Sequence, residues 1–143
     1  MKRPDLDVLC EDNHLLAVNK PAGLLTQAYG EPWDNLEETA RLWVKITRKK
    51  PGNVFLHTVH RLDKAVSGVV LFACTGKALS RLNASMRERQ FVKIYHAVVE
   101  GRPRQASGVL EHQLRHGSHR AEIVTAGTKG AKKAVLEYRL VRA

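Results

Sequence analysis

The chain has 143 residues, 43% of them apolar, with 24 Lys or Arg against 14 Asp or Glu and a formal charge of +10. That length suits one domain, residues 1–143, burying roughly two thirds of its unfolded surface, and the apolar share excludes a disordered basic tail. Residues 1–44 carry four basic residues against eight acids, whereas residues 45–143 carry twenty against six, so a basic surface starting near Lys45 predicts a nucleic-acid partner held with salt-dependent affinity.

Two short strands are predicted to open the chain, Leu6–Cys10 and His14–Asn19, with Glu11-Asp12-Asn13 as the turn. Lys20-Pro21-Ala22-Gly23 ends the second strand in a bend expected to expose Asn19 and Lys20. A helix follows from Asp34, with Leu36, Ala40, Trp43 and Val44 on one face, Asp34 or Asn35 as its cap and Pro51-Gly52 as its stop. Val69–Cys74 is a continuous apolar run, predicted as a strand covered on both faces. Thr75 caps a second helix with Ala78, Leu79, Leu82 and Met86 as its buried stripe. Phe91–Glu100 alternates as a strand, with Phe91, Lys93 and Tyr95 on one face. Three further strands are expected at Val109–Leu114, Arg120–Val124 and Ala134–Val141, joined by glycine-rich turns. The fold class is therefore α+β: a mixed, mainly antiparallel sheet with two flanking helices.

Cys10 and Cys74 lie in apolar runs without CxxC spacing, and are expected as reduced core residues of a cytoplasmic protein. No window approaches about 18 apolar residues, and MKRPDLDVL lacks a signal-peptide apolar stretch, which argues against a membrane partner.

The most pointed candidate is Asp63, a carboxylate between Arg61 and Lys64 and ahead of Ser67-Gly68. Those cations can keep it ionised as a nucleophile or base; the alternative is a turn or capping aspartate in a surface ion pair. Tyr95 shares a strand face with Lys93, so phenol and ammonium can reach one cleft and the ring can stack on an unpaired base; the alternative is a core tyrosine. His112, His116 and His119 lack the helical pattern and the glutamate of HExxH, so no metal site is expected. Gly127-Thr128-Lys129-Gly130 lacks the spacing of a phosphate loop and fits a basic hairpin turn.

In order along the chain, LLAVNKPAGLL (15–25), HRLDKAVSGVVLFA (60–73), KALSRLNASMRERQFVKIYHAVVEG (77–101) and GAKKAVLEYRL (130–140) resemble the RluA-type branch of the RNA pseudouridine synthases. The resemblance implies isomerisation of a uridine in rRNA or tRNA to pseudouridine, with no cofactor and no metal. It assigns the catalytic carboxylate to Asp63, which family mechanisms have attack uracil C6, attack ribose C1′ or remove a C2′ proton. It assigns Tyr95 to stacking on the uracil and helping to remove its C5 proton, and Arg61 and Lys93, with Lys64 and Lys20, to the RNA side of the site. His60, Leu62, Ser67 and Gly68 look like loop-shaping residues, and Asn19, Lys20 and Pro21 like the family's first, mainly structural, motif.

Two departures stand out. Val66 replaces a threonine common in the family, and nothing matches the TGRxHQIRxH segment that follows the strand resembling AVLEYRL (134–140). The expectation is a catalytic domain incomplete at its C-terminus, with no S4-like domain. Its uncompleted sheet edge leaves room for self-association or a partner chain. An inactive RNA-binding relic, or one half of a split protein, is the competing reading.

Overall fold

A computed structural model describes residues 3–28, 35–117 and 120–142. They form two compact units, Met1–Lys93 and Ile94–Ala143, described separately below.

The first unit contains β1 (Val8–Glu11), β2 (Leu15–Lys20), helix α1 (Leu36–Thr47), β3 (His57–Thr58), β4 (Gly68–Ala73) and helix α2 (Gly76–Arg87). Its sheet has the order β1-β2-β4-β3 with every pair antiparallel. Strand alternation sends Leu16 and Val18 of β2, with Val70 and Phe72 of β4, inward against Leu36, Ala40, Trp43 and Val44 of α1. The Asn35 side chain caps α1 by accepting from the Glu38 N–H at 3.0 Å; Asp34, the other candidate, lies outside the described residues. After α1 ends, Lys49 turns the chain at φ 48°.

Three expectations need correction. Cys10 is exposed while Cys74 is buried, because a register shift between Val8 and Cys10 breaks the alternation of the outer strand. β4 is not covered along its whole length, since Val69 is 55% exposed where the sheet ends. In α2, capped by Thr75 through the Ala78 N–H, only Ala78 is buried; Leu79, Leu82 and Met86 are half-buried.

The second unit is a three-stranded antiparallel sheet of β5 (Ser107–His116), β6 (Ala121–Val124) and β7 (Lys132–Arg139), ordered β6-β5-β7. All three were expected within a few residues. The turn containing Lys129 joins strands on opposite sides of β5, so it belongs to a crossover and not to a hairpin. It is built on Thr128 N–H to Thr125 O and Ala131 N–H to Thr128 O bonds. Phe91–Glu100 is not a strand: it has no ladder partner among the described residues, and Val92, Ile94 and Val98 are 85%, 81% and 103% exposed. Alternation shows which residues can share a face, but a strand forms only when its N–H and C=O groups find partners.

Candidate active site

The HRLDK loop leaves β3 and returns as β4, and three backbone devices shape it. The Val59 N–H bonds Leu71 O at 3.0 Å, continuing the β3–β4 ladder. At the next position the chain turns away and the His60 ring takes over, its Nε2 accepting from the Leu71 N–H at 3.3 Å. An Nε2 that accepts belongs to the neutral imidazole; burial, reinforced by the Lys93 charge, pushes the His60 pKa below its ordinary 6.5. Beyond it the Val66 N–H closes a turn onto Asp63 O at 3.0 Å. Gly68 restarts the strand at φ +136°, a conformation that L side chains rarely adopt.

Leu62 points into the core at 8% exposure while Arg61, Asp63, Lys64 and Ser67 face solvent. The buried leucine anchors the loop and its polar neighbours stay outside, so this short stretch divides its side chains cleanly between the core and solvent. Arg61, Asp63, Lys64 and His60 line a cleft of about 470 Å³ together with Lys93, Thr26 and Gln27. One carboxylate thus stands among three cations, yet among the described residues no ion pair within 4 Å involves Asp63. Of the alternative reading of Asp63, the turn is present in the Val66–Asp63 bond, while the ion pair is not found among the described residues.

Lys20 is the main correction to the expected RNA-facing set. Its side chain is fully buried, on the inward face that carries Leu16 and Val18. Its Nζ donates to Leu24 O at 2.7 Å, Pro21 O at 3.0 Å and Lys64 O at 3.3 Å, which occupies all three ammonium donors and leaves none for a phosphate. Burial lowers its pKa from 10.5, and the Asp63 charge opposes that shift. The period-two spacing of Leu16, Val18 and Lys20 is the signal that places this lysine inside.

Thr26 and the Gln27–Glu37–Arg41 chain were not anticipated. Gln27 Nε2 donates to Glu37 Oε2 at 2.8 Å, Arg41 Nη2 donates to Glu37 Oε1 at 3.0 Å and to Leu56 O at 3.2 Å, and Arg41 also pairs with Glu38. This chain ties the cleft wall to the segment entering β3. The Glu37–Arg41 spacing of four was its only trace in the sequence. Tyr95 belongs to the second unit and is 60% exposed. His112 and His116 sit on strand β5, where four residues span roughly 13 Å, too far for one ion; His119 lies outside the described residues.

A helix-backed antiparallel sheet presents, in a basic cleft, one carboxylate that has no ion pair among the described residues, a class of site able to accommodate a polyanion. Comparison with known proteins makes that class specific. The family model described as RNA pseudouridylate synthase matches residues 14–143. Curated relatives include tRNA pseudouridine synthase C of Pectobacterium carotovorum, 33% identical over 94% of this chain and 34% of that protein. Ribosomal large subunit pseudouridine synthase D of Zymomonas mobilis is 30% identical over 95% of this chain and 44% of that protein. The dual-specificity RNA pseudouridine synthase RluA of Escherichia coli K12 is 37% identical over 79% and 48%. Among solved structures, human RNA pseudouridylate synthase domain containing 4 superposes with a TM-score of 0.67 at 21% identity, over 93% of this chain and 52% of that one, a likeness of fold. The chain belongs to the RluA-type RNA pseudouridine synthase family, and it spans about a third to a half of the curated relatives' length.

Proposed function

We propose that this chain carries the catalytic carboxylate, Asp63, of an RNA pseudouridine synthase acting on a uridine in structured rRNA or tRNA. The observation that carries the reading is an exposed Asp63 without an ion pair among the described residues, in a cleft walled by Arg61, Lys64 and Lys93. The reaction breaks the N1–C1′ bond, turns the uracil and forms a C5–C1′ bond; the C5 proton is lost and N1 gains one. No atom is added overall, so neither an oxidant nor a group donor is required. A carboxylate suits this chemistry because it acts as nucleophile or base and then leaves again. The target base must leave the stack to enter the cleft, and Arg61, Lys64 and Lys93 are suited to hold the phosphates around it. Tyr95 is assigned to the uracil face, where an aromatic ring stacks on an extruded base. His60, Leu62, Ser67 and Gly68 shape the loop.

The test is release of tritium from RNA labelled at uridine C5. Release by the wild type that vanishes in Asp63→Asn supports the reading; equal release by both variants, or none by either, sinks it. A second reading, an RNA-binding relic or a chain completed by a partner, draws on the exposure of Val92, Ile94 and Val98, in a segment patterned as a strand that has no ladder partner among the described residues. RNA binding with no Asp63-dependent release is its signature, and a change of sedimentation with concentration is the sign of self-association.

A further inference from the structure

We infer that Thr26 is a positioning residue for Asp63, a role that rests on the reading of Asp63 as the reacting group. Thr26 is 3% exposed, and its hydroxyl makes two bonds to one residue: it donates to Leu62 O at 2.7 Å and accepts from the Leu62 N–H at 3.2 Å. Leu62 O belongs to the peptide group that joins Leu62 to Asp63, so the hydroxyl sets the plane from which Asp63 departs. On the far side of Asp63, Lys64 O accepts from the Gly23 N–H at 2.7 Å and from the Lys20 ammonium. The backbone is therefore held on both flanks of the carboxylate by the end of β2 and the segment that follows it.

The clamp is itself anchored. Leu25 O accepts from the Leu36 N–H at 2.8 Å and Thr26 O from the Glu37 N–H at 3.1 Å, which fastens Thr26 to the first turn of α1. Among the described residues no side-chain hydrogen bond or ion pair involves Asp63, so its place in the cleft is set by the backbone. A hydroxyl suits position 26 because its single oxygen both donates and accepts, and so serves the C=O and the N–H of one buried residue. Valine has the same shape but leaves both groups without partners.

The test compares Thr26→Val and Thr26→Ser with the wild type in the full chain. Single-turnover release of C5 tritium is expected to slow by roughly 10- to 100-fold in Thr26→Val, the scale set by small misplacements of a reacting group. RNA Kd is expected to stay within about twofold, and serine, which keeps the hydroxyl, to restore the rate to within about threefold. Equal rates in valine and wild type, or a loss that serine does not restore, overturn the inference. Hydrogen exchange of the Leu62 amide gives a readout independent of activity: protection in the wild type and in Thr26→Ser, lost in Thr26→Val, is expected. An unprotected Leu62 amide in the wild type overturns the clamp even if Thr26→Val fails to fold. Absence of tritium release from the wild type counts against the enzyme reading, and Leu62 exchange still decides whether the clamp exists.

Discussion

Replacing Lys20 with methionine separates a buried structural ammonium from an RNA contact. The substitution keeps the apolar stem and removes three donors. Lys64 O retains the Gly23 N–H, so Pro21 O and Leu24 O are the acceptors that lose this partner. Pro21 is exposed and Leu24 half-buried, so water reaches these carbonyls and each lost bond costs roughly 1 kcal/mol, while relief from burying an ion offsets part of the sum. A net loss of about 1–2 kcal/mol is expected, which lowers Tm by roughly 4–16 °C for a unit of this size. Urea unfolding followed by tryptophan fluorescence reads it, Trp43 being 7% exposed. The pH dependence has a definite sign. Because the folded-state pKa of Lys20 is depressed below 10.5, the unfolded chain binds this proton more readily, and wild-type stability gains from this group as pH rises toward 10.5. Lys20→Met lacks that gain, so its deficit widens with pH. A variant within about 0.5 kcal/mol of wild type, or one whose deficit narrows as pH rises, refutes the reasoning. Weaker RNA binding by a fully stable Lys20→Met protein returns Lys20 to the RNA surface.

His60 has a depressed pKa, so its contribution to stability is present above 6.5 and lost as pH falls through the folded-state value; urea midpoints at pH 7.5 and 5.5 should fall less with acid in His60→Gln than in wild type, and an equal fall refutes the neutral imidazole. Gly68→Ala should lose about 1–3 kcal/mol from backbone strain alone, because the added Cβ meets Leu62 Cδ1 at an ordinary 3.7 Å; chemical denaturation reads it, and an unchanged midpoint excludes the positive φ. Lys132 and Lys133 are adjacent on β7 and face opposite sides, and Lys133 pairs with Glu111 at 2.6 Å. The salt slope of RNA binding should therefore drop by about one unit in the double Gln variant rather than two; a drop of two puts both on the RNA path, and no drop puts both off it.

Most of the first unit follows from local patterns. Leu36, Ala40, Trp43 and Val44 mark the buried face of α1, Asn35 and Thr75 cap the helices as their residue types predict, and Gly68 supplies the positive φ at the head of β4. Strand pairing is less legible, because a ladder depends on a partner remote in sequence. Phe91–Glu100 has the period of a strand but no ladder partner among the described residues, whereas Ser107–His116 has a weaker pattern and two partner strands. The pattern of residues 91–100 specifies a face, and pairing alone determines whether that face belongs to a sheet.

The site divides in the same way. The tetrapeptide HRLD names the exposed acid, its basic neighbours and the leucine that anchors them, since adjacent residues in a tight loop necessarily stay together. Nothing within that tetrapeptide shows what holds it. The ammonium and the hydroxyl that fix the peptides around Asp63 come from Lys20 and Thr26, about forty residues earlier. A lysine in the bend after a strand reads as a surface cation until the alternation of Leu16, Val18 and Lys20 is followed one step further, and a threonine beyond the bend has no pattern at all. The exposed groups of the candidate site are therefore the easier part to read from a sequence, because they cluster in one short motif. The groups that orient them work through buried backbone atoms, which any residue supplies, so their only signatures are side-chain polarity at a core position and a hydroxyl where valine would fit as well.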